Sequence, residues 1–153
     1  MNLLNEYSKI SEVAIRSPLS SFVNDEKITN EWAPLRFHAK PDLKKAIIEY
    51  NYFKSFLEED EIKIIELPSS DKLTLDSIYT RDSIVVCDSG LILCNMGRSS
   101  RTPEADENFK TLADNGYKIA GQIKSPGTLE GGDFIWIDNK NAAVGLGPRT
   151  NSE

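Results

Sequence analysis

The sequence predicts an α/β fold built from repeated ββαβ modules, on three observations. Short apolar runs, as at residues 62–67, 91–96 and 142–146, recur along the chain between turn residues. Two stretches between them carry helical spacing instead. The segment after Asp82 is also echoed after Asp133, at a period of about fifty residues, which speaks to architecture. In both copies an apolar run passes through a polar turn into a second apolar run. Each then ends at a Gly-containing corner with Arg-Thr: Arg101-Thr102 in one, Arg149-Thr150 in the other. Each unit reads as hairpin, helix and returning strand. The modules are expected at residues 1–70, 71–126 and 127–153, the last incomplete.

The elements follow in order. Residues 11–15 alternate as a short strand. Residues 16–40, with Pro18, Pro34 and Asn24-Asp25, read as a long loop of the kind that forms lids or binding loops, or as disorder. Residues 41–58 form the best helix, with Pro41 in its first turn and Asp42 complementing its dipole. Leu43, Ala46, Ile47, Tyr50, Phe53 and Leu57 give it one apolar stripe for the core. The charge run 58–61 is solvated, and residues 62–67 return as a strand stopped by Pro68. Residues 77–87 and 91–96 are hairpin partners around Asp88-Ser89-Gly90. A helix is expected after Arg101, with Thr102 as its cap and Pro103 as its first residue. Ala105, Phe109, Leu112 and Ala113 are its buried stripe, and Asn115-Gly116 its stop. Residues 117–123 are a strand, and 134–137 with 142–146 form a final hairpin.

At 153 residues the chain is long enough for one ordinary core. With 39% hydrophobic and 27% charged residues, its composition is that of a soluble globular protein. No apolar run approaches the roughly 20 residues that span a bilayer, and residues 1–6 lack the pattern of a signal peptide. A cytoplasmic location is expected, with no membrane partner. The net charge of −6 disfavours nucleic acid and suits a small cation. It equally suits a protein that is merely kept soluble by excess acid. Two cysteines make no disulfide framework. His38, the only histidine, has no Cys or His neighbours, so neither a metal site nor a cofactor is expected.

The chemistry gathers in the carboxylates and arginines. A guanidinium presents its donors as a planar fork that a carboxylate matches with paired, charge-assisted bonds. Asp82 and Glu130 sit on abrupt turns at strand mouths, where they can hold a guanidinium from two sides. Gly131-Gly132 permits close approach of a ligand. Arg101 and Arg149, at the far end of each hairpin, can hold an α-carboxylate. Two acids at one end and two arginines at the other suit arginine or a close analogue. The competing reading is a structural ion-pair network of Glu130, Asp133, Asp82, Arg81 and Arg149.

Four ordered motifs carry a resemblance. They are Tyr79-Thr80-Arg81-Asp82; Gly97-Arg98-Ser99-Ser100-Arg101-Thr102-Pro103-Glu104; Thr128-Leu129-Glu130-Gly131-Gly132-Asp133; and Val144-Gly145-Leu146-Gly147-Pro148-Arg149-Thr150-Asn151. Their order and spacing resemble the guanidino-group-modifying superfamily: arginine deiminases, dimethylarginine dimethylaminohydrolases and amidinotransferases. The resemblance is good over residues 75–153 and covers 11–74 in outline. It implies the pentein fold, a fan of five ββαβ modules, of which about three would be present here. It implies that Asp82 binds the substrate guanidinium and that Glu130 is the acid of the catalytic set. It implies that Arg101 and Arg149 anchor the substrate carboxylate, with Asp133 supporting the site. It further implies a Cys thiolate that attacks the guanidinium carbon to give a thiouronium intermediate, with a His moving protons.

This sequence departs from that pattern, because the family's His and Cys fall beyond the Arg149-Thr150-Asn151 corner. His38 precedes every motif, and Cys87 and Cys94 lie in apolar runs, as small core residues with raised thiol pKa do. The expectation is an N-terminal portion of a hydrolase acting on arginine or methylarginine, inactive alone. An amidinotransferase, or a binding module that pairs with a complementary chain or with itself through an open sheet edge, remains open.

Overall fold

The computed structural model describes residues 8–153. Residues 1–6, read above for a leader, lie outside the fully described range. Residue contacts divide the chain into two compact units, Ile10–Tyr79 and a second built on Thr80–Glu153.

In the first unit, strand β1 (Glu12–Ile15) pairs in parallel with β2 (Lys63–Glu66), in the register Val13↔Ile64 and Ala14↔Ile65. Parallel partners need a crossover, and the segment read as a long loop supplies helices for it. Helix α1 (Pro18–Ser21) begins where Ser17 Oγ accepts from the Ser20 amide, with Pro18 in the first turn. Helix α2 (Asp25–Glu31) begins where Asn24 Oδ1 accepts from the Lys27 amide at 2.8 Å. Ser-Pro and Asn-Asp-Glu, which read as loop punctuation, act here as helix starts. The reading of residues 16–40 as an irregular loop is therefore corrected. Phe22, Ile28 and Leu75 form the buried centre of this unit, with Trp32, Leu35 and Phe37 packed on it. Arg16, 2% exposed, donates to the Ser77 and Pro68 carbonyls.

Helix α3 (Leu43–Glu59) starts two residues later than expected, because Asp42 is its cap and accepts from the Lys45 amide at 3.0 Å. Pro41 lies before the cap. None of its residues is fully buried: the stripe of Leu43, Ala46, Ile47, Tyr50 and Leu57 is half-buried, and Phe53 is 50% exposed. The helix thus lies on the unit rather than in its core.

The second unit holds the ββαβ pattern. Strand β3 (Ile84–Cys87) runs antiparallel to β4 (Gly90–Leu93), and β5 (Ile119–Gln122) adds to β4 in parallel. Helix α4 (Glu104–Asp114) makes the crossover, and Gly116 ends it in the left-handed region at φ 89°. Thr102 is not its cap, for its hydroxyl donates to the Ser99 carbonyl, and Pro103 occupies the cap position without a side-chain bond. Its buried face is Glu104, Ala105, Asn108 and Leu112, while Ala113 is exposed. Strand β3 also starts later than the expected residue 77. Leu75–Ile78 and Thr80–Ser83 are tight 3₁₀ turns, and the ladder begins only at Ile84. Strands β6 (Phe134–Trp136) and β7 (Ala142–Val144) form the last hairpin. Val85, Cys94, Met96 and Leu129 are the core of this unit. No helix among the described residues is long and apolar enough to cross a membrane.

Candidate functional site

Two 3₁₀ turns bring the predicted residues together. Thr80–Ser83 precedes β3 and Gly131–Asp133 precedes β6, so Asp82 and Asp133 sit just before strands, while Glu130 sits one turn earlier, just before Gly131. The turns pack against each other. A Cβ on Gly131 would overlap the Arg81 carbonyl, and one on Gly132 would lie 2.7 Å from Asp82 Oδ1. The close approach that these glycines permit here is to the facing turn. Arg81 ties the turns further, donating to the Gly131 and Phe134 carbonyls at 2.8 and 2.9 Å.

The acids and arginines are interleaved, which corrects the picture of acids at one end and arginines at the other. Arg101 is 2% exposed. Its Nε and Nη2 donate to the two oxygens of Glu104 at 2.8 Å each, and its Nη1 donates to Asp82 Oδ2 at 2.6 Å. Arg149 Nη1 lies 3.0 Å from Glu130 Oε2, with 48% of the Arg149 side chain exposed. Arg101 Nη1 stands 4.0 Å from that same oxygen. Glu130 is 2% exposed, and its Oε1 accepts no hydrogen bond among the described residues.

Asp133 and Thr150 brace this corner. The Thr150 hydroxyl accepts from the Glu130 amide at 3.1 Å and donates to Asp133 Oδ2 at 2.6 Å. Asn151 bridges the same two chain segments, with Oδ1 accepting from the Thr128 amide.

The electrostatics follow from burial. Loss of water pushes the Glu130 carboxyl above its ordinary value, against the pull of Arg149 and Arg101. Burial opposes charge on Arg101, but Glu104 and Asp82 more than compensate and raise its pKa. Cys94 is pushed up to about 12, first by burial and then by Asp82. A thiol so held is protonated at neutral pH. Cys87 is half-buried. His38 is exposed. Among the described residues no cluster of His, Cys, Asp and Glu is arranged to hold a metal.

Sequence reasoning missed Glu104 and Asn108. Glu104 stood in the second motif with no role given to it, yet it clamps Arg101 with two bonds. The signal was the i, i+3 spacing of Arg101 and Glu104. Asn108 Nδ2 donates to Ser83 Oγ at 2.8 Å and so fixes the Asp82 turn. Nothing in a mid-helix Asn announces that. A groove of about 470 Å³ in the first unit, lined by Phe22, Phe37, Ala46, Tyr50, Phe53 and Ile78, contains none of the predicted site residues.

With this geometry in hand, comparison with known proteins is informative. The family model described as N,N dimethylarginine dimethylhydrolase, eukaryotic, matches residues 22–153. An N(G),N(G)-dimethylarginine dimethylaminohydrolase of Pseudomonas aeruginosa is 27% identical over 114 residues, which is 74% of this chain and 44% of that protein. A crystal structure of the Pseudomonas aeruginosa enzyme, as a mutant complexed with citrulline, superimposes with a TM-score of 0.74 at 23% identity. That superposition covers 94% of this chain and 52% of the other. An amidinotransferase of Microseira wollei, from a saxitoxin biosynthetic pathway, gives a TM-score of 0.72 at 15% identity, over 97% of this chain and 55% of the other. The chain spans about half the length of the relatives it matches. These likenesses extend to the mixed α/β fold, and the family match takes in every residue of the carboxylate–arginine cluster. The chain belongs to the dimethylarginine dimethylaminohydrolase family, within the pentein superfamily.

Proposed function

We propose that this chain carries the substrate-side half of a site that hydrolyses the guanidinium of arginine or a methylated arginine. The observation that carries the reading is that Asp82 already holds a guanidinium, that of Arg101, at 2.6 Å, beside a buried Glu130 with one unpartnered oxygen. A substrate guanidinium exchanges for that of Arg101 at Asp82 and gains Glu130 Oε1 as a second acceptor. Arg101 stays gripped by Glu104 through Nε and Nη2, and the half-exposed Arg149 takes the substrate carboxylate. Asp133 keeps Glu130 in position through Thr150.

Glu130 is the acid of the catalytic set in this reading. Its raised pKa suits a carboxyl that exchanges a proton with a reacting group. The attacking thiolate is neither the protonated Cys94 nor the strand residue Cys87, and His38 is not the proton carrier. The chain alone therefore binds guanidino compounds without turning them over. The unit Ile84–Gln122 is one ββαβ blade of a five-module fan.

Titration calorimetry with L-arginine, dimethylarginine and citrulline tests this. Saturable binding is expected, falling roughly 10- to 100-fold in Asp82→Asn, since bonds to charged groups contribute about 1.5–3 kcal/mol. Equal binding by Asp82→Asn, or none by any guanidino ligand, overturns the assignment. Release of citrulline by the chain alone overturns the statement that it is inactive. Transfer of the amidino group to an added amine by the active protein overturns hydrolysis in favour of transfer.

A further inference from the structure

Gly97 lies against the backbone that carries Arg149. A Cβ on Gly97 would overlap the Arg149 carbonyl oxygen and Cα and lie 2.7 Å from its carbonyl carbon. Gly97 is not one of the glycines with positive φ, which among the described residues are Gly90 and Gly116. Glycine is needed here for space and not for a backbone angle. Gly147, two residues from Arg149 in the same corner, has nothing within 4 Å of an added Cβ. The crowding is confined to the point where Arg149 leaves the chain.

The two sides of this contact are not held equally. Gly97 follows the buried Cys94 and Met96, 4% and 3% exposed. Between them, the Asn95 carbonyl accepts from the Leu129 amide, and the Asn95 side chain donates to the Gly127 carbonyl at 2.6 Å. Residues 141–149 are exposed instead. Their corner is fixed only at its ends, where the Gly147 amide donates to the Thr150 carbonyl and the Asn151 amide to that of Thr128. A side chain at position 97 therefore displaces Arg149, not the end of the strand.

We propose that Gly97 is a positioning residue for recognition of the substrate carboxylate, on the reading above in which Arg149 takes that group. By admitting the Arg149 backbone, Gly97 fixes the Cα from which the side chain swings. The Arg149 guanidinium is half-exposed and holds Glu130 by one nitrogen at 3.0 Å, so the side chain is free to turn while its Cα stays put. A fixed Cα sets the reach of the guanidinium, and misplacing such a group by about 1 Å is enough to lose most of its effect. Gly97 thereby sets how strongly the site prefers guanidino compounds with an α-carboxylate over those without one.

Calorimetry of the full chain with L-arginine and with agmatine, which is arginine without its carboxylate, tests this. The native chain should bind arginine roughly 10- to 100-fold more tightly, the range for bonds to charged groups. Gly97→Ala should lose most of that preference by weakening arginine alone, with agmatine held within about twofold, and Gly147→Ala should alter neither. In an Arg149→Ala background, Gly97→Ala should change arginine binding by no more than about twofold, because its effect passes through Arg149. Equal loss of both ligands, or a preference that survives Gly97→Ala, overturns the positioning role. So does a Gly97→Ala chain that circular dichroism shows to be unfolded, since Gly97 is then a requirement of the fold.

A measurement without ligand separates this role from the reading it rests on. Arg149, Arg101 and Asp82 are the charged groups that act on Glu130, and Arg149 has the largest influence, holding the Glu130 pKa down. The Arg98 amide adds a smaller pull in the same direction. By carbon-13 NMR, the Glu130 carboxyl should titrate higher in Gly97→Ala, as in Arg149→Ala, and no higher in the double variant. An unchanged titration in Gly97→Ala overturns the proposal. A further rise in the double variant assigns the effect to the Arg98 amide and also overturns it. A native chain that binds arginine no better than agmatine overturns instead the assignment of the carboxylate to Arg149, while the Glu130 titration still decides whether Gly97 places Arg149.

Discussion

The guanidinium of Arg101 bonds to carboxylates on two sides and is almost wholly out of water. A charge held this way depends on its partners, because removing one leaves an uncompensated buried ion. Glu104→Ala should therefore destabilise the chain by about 3 kcal/mol or more in a urea melt. A loss within about 0.5 kcal/mol, the range for ordinary surface changes, would mean that Arg101 finds water instead. Glu130 makes a different prediction. Its folded-state pKa lies above the ordinary 4.5, so the folded state holds that proton more tightly than the unfolded chain does. The stability this group contributes is full below the ordinary value and is lost as pH rises through the raised one. Glu130→Gln keeps the shape without the charge. Its melting temperature relative to the native chain should climb as pH goes from about 4 to 7. A difference that stays flat or falls would show that the carboxylate is not desolvated.

At the scale of elements, the two 3₁₀ turns decide whether the site exists. Asp82 and Glu130 are 48 residues apart in sequence, and only the packing of Thr80–Ser83 on Gly131–Asp133 brings them close. Gly131→Ala forces a methyl into the Arg81 carbonyl, and overpacking of this kind costs about 1–3 kcal/mol. The same change at Gly145, where the nearest atom is at an ordinary 3.7 Å, serves as control. Equal melting midpoints for the two variants would refute the account of the turn contact. Helices α1 and α2 teach a related lesson about caps. One side-chain oxygen at Ser17 and one at Asn24 each satisfy an orphan amide, and that suffices to start a short helix where Trp32 and Phe37 can pack on the core.

For the whole molecule, local pattern determined much. Residues 84–87, 91–93, 119–122, 134–136 and 142–144 were legible as strands, because their apolar runs end at turn residues whose backbone preferences act locally. The ordered motifs with Arg81-Asp82, Arg101, Glu130-Gly131-Gly132-Asp133 and Arg149 identified the family, since motif order is a property of sequence alone. Only the tertiary structure decided which charge meets which. A carboxylate is satisfied by any donor within about 3 Å, and no spacing rule says that Arg101 turns to Glu104 and Asp82 while Arg149 turns to Glu130. Burial was decided there too. The stripe of α3 has core periodicity, yet it is half-exposed, because periodicity reports which residues share a face and not what that face meets.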